Sequence, residues 1–263
     1  MPSPVNQIEP PAVDDVRSRL AFWLRNDAAR LLWPACCLAC GDRGGDGIDL
    51  CAACAAALPW NRSACLRCAI PLSRADGDDA QTCGACLQLP DGPALRGKGG
   101  ALAEVHTACV YAAPVDRLLL RFKFHHDLAA GGLLAQLMAQ ALVTTPRPDA
   151  LVAVPLHRAR LRQRGYDQAL ELARPLARAL GLPLLTNTLR RVRATVAQSR
   201  LDAPQRRRNL HGAFAVLPGM ALPAHVALVD DVMTTGATLQ AAAMTLRRAG
   251  VQRVDAWVCA RVP

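Results

Sequence analysis

Aromatic residues are scarce in this chain of 263 residues, because Phe, Trp and Tyr together make up only 4% of it. Such a sequence offers few ring faces on which unpaired nucleic-acid bases could stack. No stretch approaches the ~18–20 consecutive apolar residues that a membrane-spanning helix requires, so we expect no membrane span. Residues 1–15 also lack the basic-then-apolar pattern of an export signal, and we therefore expect a cytoplasmic protein.

Lysine is almost absent as well, since Lys98 and Lys123 are the only two lysines among 31 basic residues. Arginine carries the rest, and its planar guanidinium binds phosphate or carboxylate through two parallel hydrogen bonds. The formal net charge is +10, and the span 158–208, with 13 arginines and 3 acidic residues, accounts for all of it. A compositional bias explains a high arginine content in general, whereas the clustering predicts an anionic ligand.

Cysteine, by contrast, is abundant and regularly spaced. Eight of the 11 cysteines form four CxxC pairs. Two thiolates two residues apart bind one metal ion from a tight turn, and two such turns complete a tetrahedral site. The sequence therefore predicts two structural Zn²⁺ sites of the Cys₄ type. The expected ligands are Cys37, Cys40, Cys51, Cys54, Cys65, Cys68, Cys83 and Cys86.

Disulfide bonds and redox catalysis are the alternative interpretations of the cysteines. Structural disulfides require an oxidising compartment, and a redox CxxC motif normally stands alone at a strand–helix junction, so the repeated array favours zinc. The pairing order of the four turns, sequential or crossed, stays open, and Cys36 is an alternative ligand to Cys37. Cys109 and Cys259 lie in apolar runs, where we expect them to be small core residues.

The most informative stretch is residues 226–239, with the sequence VALVDDVMTTGATL. Its first four residues are typical of a buried parallel strand, and a helical pattern begins at 237. The turn between them lies at a helix N-terminus, where outward N–H groups favour phosphate. Asp230 and Asp231, just before the turn, are placed to accept hydrogen bonds from two sugar hydroxyls. The common nucleotide loops GxGxxG and GxxxxGK[ST] are both absent.

This stretch resembles the phosphoribosyl-pyrophosphate (PRPP) signature of the type I phosphoribosyltransferases. The resemblance implies that Asp230 and Asp231 hold the ribose hydroxyls, as cofactor-binding and catalytic residues. It also implies that the turn surrounds the 5′-phosphate, through Thr234, Thr235, Gly236, Ala237 and Thr238. Catalysis would then displace pyrophosphate from PRPP by a nitrogen nucleophile, aided by Mg²⁺. No residue stands out as a general base, so the acceptor is not identified by the sequence.

Further stretches are similar to the ComF branch of that superfamily. Residues 154–168 correspond to the pyrophosphate loop of the family, which implies binding roles for Pro155, Leu156 and Arg164. The family carries Asn where Asp167 stands, which leaves a donor role for that side chain in question. For any single arginine of this loop, a plain solvated basic face remains the alternative.

Two more correspondences complete the ComF resemblance. Residues 193–214 resemble the mobile loop beside the active site, and Lys123 matches a recurrent lysine of the family, which implies a catalytic role. A cysteine array upstream of the catalytic domain is also common in that family. The neighbouring run His125-His126-Asp127 is expected to be a surface turn rather than a metal site.

The order of the secondary-structure patterns predicts an α/β fold. Apolar runs at 107–112, 151–155, 226–229 and 254–259 alternate with helical patterns at 115–123, 128–142, 168–180 and 237–249. This alternation predicts a mainly parallel sheet flanked by helices, of the type I phosphoribosyltransferase kind that the resemblance implies. The ligand is then expected at the carboxyl ends of the strands.

Four segments are predicted along the chain. Residues 1–34 form an N-terminal segment with an amphipathic helix over 16–33, and residues 35–90 a double zinc-ribbon module. A linker over 91–104 leads to a phosphoribosyltransferase-like domain over 105–263.

Three functions are compatible with these features. The first is transfer of a phosphoribosyl group from PRPP to an unidentified nitrogen acceptor. The second is a nucleic-acid-binding accessory role, because the ComF family is associated with uptake of single-stranded DNA in natural transformation. Single-stranded DNA or DNA-uptake proteins would then be partners, and the arginine cluster suits phosphate backbones. The third is a regulator that senses PRPP without turnover.

Overall fold

The computed structural model describes residues 36–45, 48–73, 82–88, 101–193 and 212–263. The helix predicted over 16–33, residues 91–100 of the predicted linker and residues 194–211 of the predicted mobile loop lie outside this part. The described residues fall into two compact units, one ending at Ala52 and the other beginning at Ala53. None of the helices in these ranges is both long enough and apolar enough to cross a membrane.

Seven helices and six strands are formed by the described residues. The helices are α1 (Ala52–Ala56), α2 (Gly84–Leu87), α3 (Val115–Phe124), α4 (Leu128–Leu142), α5 (Arg158–Arg164), α6 (Gln168–Leu180) and α7 (Ala237–Arg248). The strands are β1 (Val105–Val110), β2 (Ala150–Ala153), β3 (Leu189–Arg191), β4 (Phe214–Val216), β5 (His225–Met233) and β6 (Arg253–Arg261).

A parallel sheet with the strand order β1–β6–β5–β2 forms the centre of the second unit. Strands β3 and β4 form a separate antiparallel pair. Helix α7 packs against β4, β5 and β6, while α4 and α6 pack on each other and on the sheet. The four residues 226–229 of β5 are all buried, as expected for a strand covered on both faces. The predicted α/β class with a mainly parallel sheet is therefore confirmed.

Strand β5 is longer than its apolar run predicts. The sequence places the end of this strand at 229, but the strand continues to Met233. The pairing with β6 explains the difference, because Asp230 pairs with Val258 and Met233 pairs with Arg261 in the same parallel register. The two carboxylates thus belong to the ladder itself instead of following it.

The His125-His126-Asp127 run is a turn between α3 and α4, as predicted. Asp127 caps α4 by accepting a hydrogen bond from the amide of Ala130 at 3.0 Å, and it also pairs with Arg121. Among the described residues, the clusters able to hold a metal ion consist of cysteines alone. Cys109 and Cys259 are buried at 0% and 1% exposure, which confirms their expected place in the core.

Helix α4 approaches α3 closely at Gly131. A Cβ atom at this position would lie 2.5 Å from Cε2 of the fully buried Phe122, the residue before Lys123. At the adjacent Gly132, a Cβ atom would have no neighbour within 4 Å. The two glycines therefore form a matched pair, one required by packing and one unconstrained.

We expect Gly131→Ala to lower the free energy of unfolding by about 1–3 kcal/mol, because the added methyl group overpacks the core. Gly132→Ala should raise it by up to about 1 kcal/mol, the gain in helix propensity from Gly to Ala. Chemical denaturation followed by circular dichroism measures both changes. Equal stabilisation by the two substitutions would show that the α3–α4 contact is looser than described.

Candidate functional site

Two cysteine knuckles share one backbone design. The amides of Cys37 and Cys65 each donate to the carbonyl five positions later, and the amide four positions later donates back, all at 2.7–2.9 Å. The residue after the second cysteine takes a positive φ in both knuckles, Gly41 at 85° and Ala69 at 54°. The second knuckle therefore repeats the first in its local backbone structure.

The other two CxxC pairs occur with short helices. Cys51 immediately precedes α1, and Cys83 occupies the N-cap position of α2. The structure groups the four pairs sequentially into two clusters, within each of which all sulfur atoms lie within 4.8 Å of one another. The first cluster is Cys37, Cys40, Cys51 and Cys54, and the second cluster is Cys65, Cys68, Cys83 and Cys86. Cys36 is left out, and its thiol donates to the carbonyl of Gly41 at 3.3 Å.

Both clusters have the dimensions of a zinc site. A tetrahedral centre with Zn–S bonds of about 2.3 Å has sulfur–sulfur distances of roughly 3.8 Å. The Sγ atoms of Cys40 and Cys51 are 3.7 Å apart, and those of Cys68 and Cys83 are also 3.7 Å apart. All the described cysteines are free thiols rather than disulfides. The two Cys₄ sites are therefore consistent with two structural zinc ions.

The acidic pair lies near the carboxyl end of β5, with its two side chains on opposite faces of the sheet. Successive side chains of a strand alternate in direction, so Asp230 shares the face of Leu228, which packs in the same core cluster as α7. Asp231 points to the other face and is 9% exposed. There its Oδ2 lies 3.0 Å from Nζ of Lys123 at the end of α3. The structure thus brings Lys123 to the acidic pair.

The carboxyl group of Asp230 is held in an unfavourable environment. Burial raises its pKa well above the ordinary value, and the adjacent Asp231 carboxylate raises it further, while the charge of Lys123 lowers it. Asp230 is half-buried, and an ionised carboxylate that has lost part of its water needs other hydrogen-bond donors in exchange. Hydroxyl groups of a bound sugar are donors of the required kind.

The arginine Arg191, on β3, belongs to the same neighbourhood and was missed in the sequence. Its pKa is lowered by burial and by the charge of Arg160, and it is raised by the carboxyl groups of Asp230 and Asp167. Its guanidinium lies 5.5 Å from the centre of the Phe214 ring. No motif marks Arg191, because its electrostatic interaction with Asp230 and Asp167 arises from the fold rather than from local sequence.

The predicted phosphate turn, residues 234–238, joins β5 to α7. Thr234 and Thr235 are exposed, and Gly236 has a φ of 72° and caps α7 without contributing a side chain. The positive φ favours glycine here, and a Cβ atom on Gly236 would lie 2.6 Å from Cε of Met233, so the methionine side chain would have to shift. A helix N-terminus without a side-chain cap presents N–H groups that suit an anion.

Asp167 organises the loop that follows β2. Its Oδ2 accepts from the amide of Leu156 at 2.8 Å, and its Oδ1 accepts from the amide of Leu170 at 3.2 Å, which caps α6. Burial raises the pKa of Asp167, while these backbone hydrogen bonds lower it. Its role is therefore that of an acceptor. The amide of Leu156 is already used within the protein, and Pro155 and Leu156 define the course of the loop beside β5.

Arg164 lies at the end of α5 and contacts an aromatic ring. Its guanidinium carbon is 5.3 Å from the ring centre of Phe124, which is 59% exposed. Tyr166, two residues further on, has its ring 5.6 Å from that of Phe122. Arg164 thus lies within the predicted loop 154–168, as the last residue of α5, with its guanidinium over the end of α3.

Comparison with known proteins gives matches both to the cysteine-rich region and to most of the chain. The double zinc ribbon domain family matches residues 28–87, which contain all eight clustered cysteines. The DNA utilization protein YhgH of Salmonella typhi is 36% identical over 219 residues, covering 81% of this chain and 90% of the relative. Competence protein F of Haemophilus influenzae is 40% identical over 159 residues, covering 57% of this chain and 69% of the relative.

The chain belongs to the ComF family. A further relative, the DNA utilization protein YhgH of Escherichia coli K12, is 32% identical over 219 residues, covering 81% of this chain and 90% of the relative.

We expect the purified protein to contain two zinc ions per chain, because each cluster supplies four thiolates. Cys40→Ser and Cys68→Ser should each reduce the content to about one, since a serine hydroxyl is a poor zinc ligand. Elemental analysis after dialysis measures the content, with Cys36→Ser as the matched control that retains both ions. Loss of zinc in Cys36→Ser would contradict the ligand sets given above.

Proposed function

We propose that this protein binds PRPP with Mg²⁺ at the carboxyl edge of its parallel sheet and transfers the phosphoribosyl group to a nitrogen acceptor. The observation that carries the proposal is the continuity of β5, the turn 234–238 and α7. Within nine residues the chain presents two carboxylates and a helix N-terminus opened by Gly236. A phosphorylated sugar offers hydroxyl groups to the two carboxylates and a phosphate to the helix N-terminus.

Each residue of this edge has a physical role in the proposal. The ribose hydroxyls donate to Asp230 and Asp231, and Lys123 holds the second carboxylate through its ion pair. The 5′-phosphate accepts hydrogen bonds from the turn and from the hydroxyls of Thr234 and Thr235. Asp167 keeps the loop at Leu156 close to β5, because it bonds the amide of that residue.

The departing pyrophosphate needs positive charge. Arg191 is one described source, because its guanidinium interacts electrostatically with the carboxyl groups of Asp230 and Asp167. When bound together with PRPP, Mg²⁺ would supply further positive charge to the leaving pyrophosphate. Preorganised cations and N–H groups at this position stabilise the transition state more than the ground state, which is the requirement for catalysis. We place the protein in the cytoplasm, where thiols stay reduced and available to zinc.

We expect isothermal calorimetry to show saturable binding of PRPP in the presence of Mg²⁺, and Asp230→Asn to weaken it by tenfold or more. The magnitude follows from the roughly 1.5–3 kcal/mol of a hydrogen bond to a charged group. Asp116→Asn, at the other end of the helix that carries Lys123, makes the same change of charge away from the site and should bind as the wild type does. Absence of binding by zinc-loaded wild-type protein would refute the proposal.

The unliganded Asp230→Asn variant should be more stable than the wild type. This result would show that the variant loses PRPP binding for a reason other than unfolding. Burial raises the pKa of Asp230 above the value of an unfolded aspartate, about 4. Asp230 therefore holds its proton more tightly in the folded wild type than in the unfolded chain. The stability of the wild type falls as the pH rises from about 4, the pKa of the unfolded state, towards the higher pKa of the folded state. The advantage of the variant should be larger at pH 8 than at pH 5 in thermal unfolding.

A second candidate function, binding of single-stranded DNA, is favoured by the surface of α5. This helix carries Arg158, Arg160, Arg162 and Arg164, contains no acidic residue, and buries none of its side chains. None of the four arginines forms an ion pair with another described residue. Phe124, under Arg164, adds one exposed ring for base stacking. The names of the relatives, DNA utilization protein and competence protein, agree with such a partner.

We expect a labelled oligothymidylate to bind, and Arg158→Gln/Arg162→Gln to weaken binding and reduce its salt dependence by about 0.7 in the log–log slope per lost phosphate contact. Arg174→Gln/Arg178→Gln on α6 is the control with the same loss of net charge. Phe124→Ala tests stacking, worth about 1–3 kcal/mol per base. Fluorescence anisotropy measures all four proteins. Equal losses in both double variants would indicate a general charge effect and reject this surface.

A further inference from the structure

We infer that the second cluster, through Arg261, supports the phosphate turn, so that zinc binding and ligand binding are coupled. The phosphate turn is residues 234–238 as defined above, and its ligand rests on the proposed function. The coupling itself is a property of the fold, because the hydrogen bonds that carry it do not involve any ligand.

Arg261 connects the two features directly. It is the last residue of β6 and is 9% exposed. Its Nε donates to the carbonyl of Cys68 at 2.8 Å, and its Nη1 donates to the carbonyl of Met233 at 3.4 Å. Cys68 belongs to the second cluster, and Met233 immediately precedes the phosphate turn. One guanidinium therefore spans from a predicted zinc ligand to the end of β5.

Met233 transmits the contact into the turn. Its side chain is 2% exposed, and its Cε occupies the space beside Gly236 where a Cβ atom would stand. Its carbonyl also accepts from the amide of Val262 at 3.0 Å. The backbone of Met233 is thus held from the β6 side, and its side chain packs beneath the residue that opens α7. A displacement of Met233 necessarily changes the packing of the turn.

The second knuckle is fixed to the sheet at other points as well. The amide of Val105, at the start of β1, donates to the carbonyl of Leu66 at 2.8 Å. Ala69 is fully buried in the core cluster that also contains residues of β5 and β6. The position of the knuckle is therefore determined by the sheet, and the sheet in turn loses contacts when the knuckle unfolds.

Charge strengthens the dependence on zinc. Four thiolates and one Zn²⁺ carry a net charge of −2, which favours a nearby buried guanidinium. Loss of the metal ion removes the constraint on Cys68 and leaves Arg261 with a weaker partner. By linkage, a ligand that binds the phosphate turn should also tighten the binding of zinc.

Arg67 provides a matched control within the same cluster. Its Nη1 donates to the carbonyl of Cys86 at 2.9 Å, so it contacts a predicted zinc ligand as Arg261 does. Among the described residues, no hydrogen bond joins it to Met233 or to the phosphate turn. Substitution of Arg67 therefore disturbs the second cluster without cutting the connection to the turn.

The test compares the full chain with Arg261→Met and Arg67→Met. Two measurements are made without ligand, namely the rate of zinc release to a chromogenic chelator and the amide hydrogen exchange of residues 233–239. A third is the affinity for PRPP with Mg²⁺. We expect both variants to release zinc faster. Arg261→Met should in addition exchange these amides about tenfold faster and bind PRPP about tenfold more weakly, the loss of a charged hydrogen bond.

The outcomes separate this inference from the proposed function. Exchange at 233–239 within about twofold of the wild type in Arg261→Met would overturn the coupling, as would an equal effect of Arg67→Met. If wild-type protein does not bind PRPP, the proposed function fails, but the exchange measurement still decides the inference. Should Arg261→Met fail to fold, Arg261→Lys, which keeps the charge but has a single ammonium group, is judged by the same criteria.

Discussion

The parallel pairing of β5 with β6 is the constraint on which the rest of the second unit depends. It extends past the apolar run to Met233 and Arg261, and it thereby keeps two aspartates in an extended backbone in the middle of the sheet. A strand that ended at Val229 would leave both carboxylates in a loop, free to take up water. The extension instead delivers one to each face of the sheet and places the following turn at the open edge.

The electrostatic arrangement at this edge is asymmetric. Asp231 has a lysine at 3.0 Å, whereas Asp230 lies in a buried environment that opposes its ionisation. Such a carboxyl group is a cost to the unliganded fold, and costs of this kind are typical of binding sites. Nearly all the positive charge of the chain is guanidinium, which keeps its charge when buried and binds phosphate through two hydrogen bonds. The arginines of α5 extend this positive character to the surface near the site.

Some features could be predicted from the sequence because local chemistry determines them. Helices α4 and α6 begin where predicted, since Asp127 and Asp167 cap them and their apolar residues repeat with helical spacing. The cysteine spacing likewise predicts two Cys₄ groups. The end of β5 was predicted too early, because carboxylates are rare inside strands and only the β6 partner keeps them there. Arg191 and Arg261 were not found at all, because their roles depend on contacts between residues distant in sequence.

The two knuckles have different residues at the position of positive φ that follows the second cysteine. Position 41 holds glycine, and a Cβ atom there would meet nothing within 4 Å, while position 69 holds an alanine that is entirely buried. A left-handed conformation costs a residue with a Cβ atom roughly 1–2 kcal/mol, so alanine is retained only where its methyl group fills space in a core. The residue after the second cysteine therefore reports whether the turn of a knuckle is packed in a core. Across related chains, glycine at this position would mark a turn that faces solvent, and alanine a turn whose methyl group is buried.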